Sequence, residues 1–279
     1  MKTRLAIGAG ALVVTAALIA VVATRDNPVV PSGRPLPASM AAIGDSITQA
    51  VAVDAEALGG APERSWATGS LPDDAVVSHY ERILEANPDI SGHFFNNAVP
   101  GSTMANALEQ AETTVGQRAE YVVILMGAND ACTPNAASIT PAPEFESAFV
   151  AAMDRLATGL PTTSIYVLSI PNVQHLWEVL HEDLKTSLVW ANAGICQSML
   201  SSQNTDADRA AVLARIVEFN SILERVCGRY PNCRFDQNAL FEYEFSPEEV
   251  GPLDSFHPSE EGQARIADVS WDNGFWPEI

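Results

Sequence analysis

The chain has 279 residues, 47% of them hydrophobic, and its 35 acidic against 15 basic residues give a net charge of −20. This length allows one large domain with a full core. The acidic balance argues against binding to nucleic acid or to anionic membranes, because both are negatively charged.

The N-terminal segment has the features of an export signal. Lys2 and Arg4 precede an uncharged, aliphatic run over residues 5–24, and this order of charge and hydrophobicity is typical of signal peptides. Small residues around Ala23 allow cleavage after it, but twenty uncharged residues are also long enough for an uncleaved membrane anchor. We therefore predict a signal peptide or signal anchor at 1–24, a proline-rich linker at 25–37 and an extracytoplasmic domain at 38–279, either secreted or membrane-anchored.

Short apolar segments that alternate with helical patterns predict an α/β domain. The apolar segments expected to form strands are 39–46, 93–99, 121–126, 164–170 and a weaker one at 234–235. Apolar residues at three- and four-residue spacing predict helices at 74–86, 102–117, 144–160, 206–227 and from 260 onward, with Ser259 as the N-cap of the last. Strands alternating with helices imply a mostly parallel sheet in a three-layer α/β/α sandwich.

The segment 174–199 is rich in leucine and tryptophan and follows the fourth predicted strand. A plain core helix is the favoured interpretation, and a wall or lid of an acyl pocket is the alternative, because such connections line the sites of α/β proteins. Trp177 and Trp190 are the candidate substrate contacts in this segment.

Four motifs, three of them each following a predicted strand, carry residue types that acyl transfer needs. A serine hydroxyl is a poor nucleophile until a base accepts its proton, and imidazole titrates near neutral pH. Asp254, three residues before His257, is well placed to hold the second ring nitrogen. The motifs are Gly44-Asp45-Ser46, Asn97-Ala98-Val99-Pro100-Gly101-Ser102, Gly127-Ala128-Asn129-Asp130 and Asp254-Ser255-Phe256-His257.

Together these motifs resemble the four signature blocks of the SGNH (GDSL) hydrolase family. The segments 64–69 and 257–263 resemble its phospholipase-B-type branch of lipases and esterases. The resemblance implies the flavodoxin-like fold of that family, a catalytic triad of Ser46, Asp254 and His257, and an oxyanion hole formed by Ser46, Gly101 and Asn129. It implies no cofactor. The chain has no Gly-x-Ser-x-Gly motif, which argues against an ordinary α/β-hydrolase.

Four cysteines in an exported chain suggest two disulfides. Cys227 and Cys233 flank a turn-rich link that can bring their sulfurs together, which leaves Cys132 for Cys196, although four cysteines allow three pairings. No metal site is expected, because neither the cysteines nor His175, Glu178 and His181 have the spacing of a zinc site.

These observations predict an exported serine esterase or lipase that hydrolyses carboxylic esters, with fatty-acyl or phospholipid esters as the leading substrates. A carbohydrate O-deacetylase on the same fold is the first alternative, and a non-catalytic surface-binding module is the second. We expect a monomer whose partner is a small-molecule or lipid ester, with a possible membrane anchor at its N-terminus.

Overall fold

A parallel β-sheet forms the centre of the structure, a computed structural model that describes residues 34–55 and 59–279. The predicted signal segment 1–24 and the linker residues 25–33 lie outside the described residues. The strands within the described part are β1 Met40–Gly44, β2 Phe94–Asn96, β3 Tyr121–Leu125, β4 Ser164–Val167 and β5 Cys233–Phe235. Each lies within or beside a segment where the sequence predicted a strand.

The strand order is β2-β1-β3-β4-β5, and every neighbouring pair is parallel. This is the flavodoxin-like order, in which the chain reverses direction across the sheet between β1 and β3. Ligands of such sheets bind outside the carboxyl ends of the strands at this switch point. The motifs that begin at Gly44 and Gly127 follow β1 and β3, so they lie on either side of it.

Ten α-helices connect and cover the strands in the described residues. In chain order they are α1 His79–Ala86, α2 Ala107–Gln117, α3 Ala128–Ala131, α4 Ala142–Gly159, α5 Val173–Leu180, α6 Leu184–Ala193, α7 Gln197–Leu200, α8 Asp206–Cys227, α9 Ala239–Glu242 and α10 Glu260–Asp272. Short 3-10 helices lie at Pro62–Arg64, Pro88–Ile90, Met104–Asn106, Ala136–Ser138 and Pro247–Glu249. No helix of the described residues is long and apolar enough to cross a membrane.

Buried aromatic residues pack helices against the sheet and against one another. On one face, His79 of α1 stacks near Tyr121 and Tyr166 of β3 and β4, and its Nε2 lies 2.8 Å from the hydroxyl of Ser270 in α10. Phe145 of α4 stacks on Phe219 of α8, with 4.1 Å between ring centroids. Strands β1, β3 and β4 are buried throughout, as expected for a parallel sheet covered on both faces.

The segment 174–199 is not one core helix, as the sequence predicted, but three helices. The side chain of Asp183 accepts hydrogen bonds from two backbone N–H groups and caps the start of α6. Gly194 and Cys196 both have positive φ, +66° and +41°, which ends α6 and separates it from α7. A helix would not tolerate these left-handed residues, so the apolar pattern alone overestimated its length.

Both disulfides join the pairs that the sequence favoured, Cys132–Cys196 and Cys227–Cys233. The first connects the end of α3 to the start of α7, and Ser198 reinforces it, because its hydroxyl donates to the carbonyl of Ala131 at 2.7 Å. The second closes the turn between α8 and β5. Two disulfides indicate an oxidising compartment such as the cell exterior.

Candidate active site

Ser46 lies in a tight turn that begins where β1 ends. The carboxylate of Asp45 accepts the N–H of Ile47 at 3.0 Å, and the carbonyl of Asp45 accepts the N–H of Gln49. Gly44 is required immediately before this turn, because a Cβ atom there would lie 2.4 Å from the Thr48 hydroxyl and 2.8 Å from the Leu125 carbonyl. This turn, residues 45–52, therefore presents Ser46 at the carboxyl edge of the sheet, and we refer to it as the nucleophile turn.

Ser46, His257 and Asp254 form a continuous hydrogen-bonded chain. The Ser46 Oγ lies 2.8 Å from Nε2 of His257, and Nδ1 of the same ring lies 2.5 Å from Oδ2 of Asp254. The structure thus brings together residues 211 positions apart, at the distances that proton transfer requires.

The state of Asp254 determines the tautomer of His257. Burial alone would raise the pKa of Asp254, but hydrogen bonds from the His257 ring and from the N–H groups of His257 and Phe256 outweigh it and hold this pKa below its ordinary value. Asp254 is therefore a carboxylate that only accepts, so Nδ1 of His257 carries the hydrogen. Nε2 is left free to accept the proton of Ser46.

The loop that carries Asp254 and His257 is held from two sides. Gly251 donates its N–H to the carbonyl of His257 at 2.7 Å, and a Cβ atom on this glycine would lie only 2.6 Å from the Ala52 carbonyl in the nucleophile turn. On the other side, the indole N–H of Trp190 donates to the carbonyl of Ser255 at 2.9 Å. These contacts fix the histidine relative to the serine.

The three residues expected to form an oxyanion hole come from the turn after β1, the loop after β2 and the start of α3. Gly101 is exposed, has φ of +80°, and a Cβ atom on it would meet open space. Asn129, in α3, donates its side-chain amide to the carbonyl of Ser102 at 2.9 Å, and the same nitrogen lies 3.4 Å from Oδ2 of Asp45. Gly127, with φ of +121°, makes the turn into α3.

Asp45 and Asp130 are buried carboxyls that brace these loops. Burial raises the pKa of Asp45 to about 6, although the N–H of Ile47 and the proximity of His257 oppose the rise. Oδ2 of Asp130 accepts the N–H of Met104 at 2.8 Å, and burial also raises the pKa of this group. Neither carboxyl is a member of the hydrogen-bonded series from Asp254 through His257 to Ser46, so we assign both the role of holding the loops of the site in place.

An apolar cavity of about 80 Å³ adjoins the site. Residues next to the proposed catalytic groups form part of its wall: Ile47 follows Ser46, Ala128 precedes Asn129, and Phe256 and Pro258 flank His257. Further apolar side chains line it, namely Pro171, Val173, Leu176, Leu240, Phe245, Val250 and Ile266, together with the polar residues Asn172, Tyr243, Glu249 and Arg265. The cavity wall thus includes sequence neighbours of the proposed catalytic residues, and the cavity can exclude water from an apolar ligand.

Neither tryptophan predicted to contact substrate lines this cavity. Trp190 is fully buried and uses its indole N–H to hold Ser255. Trp177 packs under the guanidinium of Arg209, 3.6 Å from the ring centroid, and stacks on His181. From the same segment, Val173 and Leu176 provide the cavity wall instead.

The remaining polar candidates have local partners. His175 contacts Glu178 at 3.6 Å and the Phe245 carbonyl at 3.0 Å, while Nδ1 of His181 lies 2.7 Å from the Trp177 carbonyl. Among residues 34–55 and 59–279, no group of three or more His, Cys, Asp or Glu side chains is arranged to hold a metal.

Two buried glutamines, to which the sequence analysis assigned no role, support the nucleophile turn. Gln263 of α10 donates to the carbonyl of Ile47 at 2.8 Å and accepts the N–H of Trp66 at 3.0 Å. Gln110 of α2 bonds both backbone groups of Gly44. Their only sequence signal was a polar residue on a buried helix face.

Comparison with known proteins agrees with this geometry. The model of the GDSL-like lipase/acylhydrolase family matches residues 42–265, a range that includes the proposed triad and the three residues expected to form the oxyanion hole. No curated protein matches the chain.

Several solved structures share the fold at low sequence identity. A candidate GDSL-like lipase from Parabacteroides merdae aligns with a TM-score of 0.52 at 15% identity, covering 84% of this chain and 94% of that one. A carbohydrate esterase of family 2 from Corynascus thermopiles gives 0.51 at 16%, covering 86% and 66%. Phospholipase A1 from Streptomyces albidoflavus gives 0.49 at 18%, covering 85% and 99%. At these identities, the two alignments with TM-scores above 0.5 show the fold alone.

Proposed function

Because the chain belongs to the GDSL-like lipase/acylhydrolase family, we propose that it is an exported serine esterase acting on fatty-acyl esters through an acyl-enzyme on Ser46. The observation that carries the proposal is the contact chain from Ser46 through His257 to Asp254, beside an apolar cavity that Ile47, Phe256 and Pro258 help to line. The contact chain supports ester hydrolysis, and the cavity supports an apolar acyl group.

In the first half of the proposed reaction, the Ser46 oxygen attacks the ester carbonyl carbon while its proton passes to Nε2 of His257. The carbonyl π electrons move to the oxygen, giving a tetrahedral intermediate with one negative charge. Asp254 stabilises the imidazolium by accepting its Nδ1–H. Collapse of the intermediate breaks the bond to the alcohol oxygen, which takes the proton from Nε2 and leaves.

In the second half, a water molecule repeats the attack on the acyl-enzyme. Its proton passes to His257, and collapse returns the proton to the Ser46 oxygen and releases the carboxylic acid. We propose that the negatively charged oxygen of both intermediates accepts hydrogen bonds from the backbone N–H groups of Ser46 and Gly101 and from the side-chain amide of Asn129. Removing one such donor typically costs about 3–4 kcal/mol of transition-state stabilisation.

Fatty-acyl rather than acetyl esters are proposed because the cavity wall is almost entirely apolar. Burial of acyl methylenes there contributes about 0.8 kcal/mol each. The nearest polar groups, Glu249, Tyr243 and Arg265, bond one another: Oε1 of Glu249 accepts the Tyr243 hydroxyl at 2.8 Å and Nε of Arg265 at 3.2 Å. Their pairing leaves the interior suited to hydrocarbon.

Export is proposed from the charged and apolar order of residues 1–24, and the two disulfides support it. Whether residues 1–24 are cleaved or retained as an anchor distinguishes a secreted enzyme from a membrane-anchored one. N-terminal sequencing of protein recovered from the medium and from membranes tests this directly.

The proposed activity is tested with purified protein on acyl esters of increasing length, on phospholipids and on acetylated sugars. We expect turnover of fatty-acyl esters that disappears in Ser46→Ala. Preference for acetylated sugars over every fatty-acyl ester would instead identify a deacetylase. If no ester is hydrolysed and a fluorophosphonate probe does not label Ser46, the remaining interpretation is a non-catalytic binding module.

A further inference from the structure

The side chain of Gln110 joins the nucleophile turn to the proposed oxyanion loop. It extends from α2, is almost fully buried, and lies 66 positions from its main partner, Gly44. Oε1 accepts the N–H of Gly44 at 2.9 Å, and Nε2 donates to the carbonyl of Gly44 at 2.9 Å. The same Nε2 donates to the Ser102 hydroxyl at 3.2 Å.

The amide of Gln110 binds the end of β1 beside the segment that follows β2. The paired register between β1 and β2 ends at Ala42 and Asn96, and beyond it the N–H groups of Asn97 and Val99 still donate to the carbonyls of Ala42 and Gly44. Gly44, the last residue of β1, also bonds Gln110 through both its N–H and its carbonyl. The side-chain amide thus holds the residue directly before Asp45 and Ser46. A primary amide suits this place because it offers both a donor and an acceptor, as a peptide group does.

The contacts continue from Gln110 to every group assigned to the oxyanion hole. Ser102 directly follows Gly101, and its carbonyl accepts the amide of Asn129 at 2.9 Å. The same Asn129 nitrogen lies 3.4 Å from Asp45, which directly follows Gly44. A ring of contacts therefore runs from Gly44 through Gln110, Ser102, Asn129 and Asp45 back to the start. Its members adjoin or include all three proposed donors.

We propose that Gln110 is a positioning residue for the oxyanion hole, setting the separation between the nucleophile turn and the loop of Gly101. The inference rests on the proposed function, because it assumes that these groups stabilise a tetrahedral intermediate. Gln110 does not touch the reacting atoms. It acts through Gly44 and Ser102, and its loss lets the donors shift. Misplacement of reacting groups by about 1 Å can cost roughly 100-fold in rate.

The test compares Gln110→Met with Gln117→Met in the full chain. Gln117 is a matched control, because it also projects from α2 and also forms an amide pair, with Asn97, at 2.7 and 2.9 Å. We expect Gln110→Met to lower kcat by roughly 10- to 100-fold, less than loss of a donor outright, with KM within about twofold. The affinity for an alkyl boronic acid, which mimics the tetrahedral intermediate, falls by the same factor as kcat/KM. Gln117→Met leaves kcat and boronate affinity within about twofold.

A second variant gives a readout that a merely structural role would not move. In Gln110→Glu, a protonated carboxyl keeps the acceptor for the Gly44 N–H and regains a donor for its carbonyl, whereas a carboxylate has no donor. The ratio of the kcat of this variant to that of the wild type therefore rises as the pH falls from about 8 to about 6, since burial raises a carboxyl pKa into this range. Ser102→Ala, which removes a single contact of the ring, gives a smaller loss of kcat.

Two results would overturn the assignment: a Gln110→Met enzyme with the kcat and boronate affinity of Gln117→Met, or a Gln110→Glu ratio that is independent of pH. If Gln110→Met does not fold, Gln110→Glu and Ser102→Ala decide the matter. Labelling of the wild-type protein by a fluorophosphonate separates this failure from failure of the proposed function. An unlabelled Ser46 contradicts the function itself, whereas a labelled Ser46 with unaffected Gln110 variants contradicts only the role of Gln110.

Discussion

The volume of the apolar cavity predicts the acyl-chain length that the enzyme prefers, and the burial of each methylene predicts how strongly kcat/KM depends on that length. The cavity holds about 80 Å³, and one water-sized group needs roughly 10–15 Å³ by the same measure, so roughly five to eight carbon-sized groups fit. Each buried methylene contributes about 0.8 kcal/mol, or roughly fourfold in kcat/KM. We expect kcat/KM to rise about fourfold per methylene from acetyl esters up to roughly hexanoyl or octanoyl esters and then to level off.

Leu176→Trp tests whether this cavity is responsible. The larger side chain fills part of the space, so the optimum shifts to acyl groups at least two carbons shorter while acetyl ester hydrolysis stays within about twofold. Leu188→Trp is the matched control, because Leu188 lies on the neighbouring helix α6 and is 60% exposed. Nitrophenyl esters from two to twelve carbons, assayed at fixed pH, provide the measurement. An unchanged chain-length profile in a folded Leu176→Trp enzyme, or a wild-type optimum at acetyl, would refute the reasoning.

Three further predictions concern the oxyanion hole, acid stability and the disulfides. Asn129→Ala should lower kcat by roughly 10²- to 10³-fold with little change in KM, because the lost donor acts in the transition state; a change in KM alone would make Asn129 a substrate-binding residue. Burial lowers the pKa of His79 to about 3 from an ordinary 6.5. Below about pH 6.5 the unfolded state therefore binds a proton that the folded state does not, and the free energy of unfolding decreases as the pH is lowered. In denaturant titrations from pH 6.5 to 4, His79→Gln should reduce the slope of unfolding free energy against pH by up to about 1.4 kcal/mol per pH unit. Asp45, whose pKa is raised from 3.8 to about 6, contributes a slope of opposite sign, but it does so equally in the wild type and in His79→Gln. An equal slope in the two proteins would therefore contradict the prediction. Replacing Cys132 and Cys196 by serine should lower the free energy of unfolding by about 4 kcal/mol, and replacing Cys227 and Cys233 by about 2 kcal/mol, because the first pair closes a loop of 64 residues and the second one of 6; the reverse order would count against the chain-entropy account.

The order and type of the main elements were predictable from local patterns. The longest helix, α8, has the predicted bounds 206–227, because its apolar residues repeat with helical spacing over many turns. Helix α1 starts at His79 rather than at 74, since Ser78 and Glu81 form a capping box that fixes its first turn. That signal, a serine followed three positions later by a glutamate, was present in the sequence and outweighs the apolar pattern before it.

The site was predictable only where its residues lie in short motifs. Ser46 directly follows β1, whereas Asp254 and His257 lie in the loop before α10, and short motifs marked both segments before the structure placed them together. Gln110 has no such signal, because its partners are backbone groups 66 positions away. The cavity wall likewise combines residues from the turn after β1 and from α3, α5, α9 and α10 that only tertiary packing brings together. Trp190 looked like a substrate contact because it is large and apolar, but its indole N–H is used to hold the Ser255 carbonyl.

The most direct test of the central claim is the identity of the nucleophile. Purified protein is treated with an alkyl fluorophosphonate, and peptide mass spectrometry locates the label. Our account predicts one label per chain, on Ser46, with labelling abolished in Ser46→Ala and slowed by several orders of magnitude in His257→Ala, which keeps the hydroxyl but lacks the base. A label on another serine, or undiminished ester hydrolysis by Ser46→Ala, would contradict it.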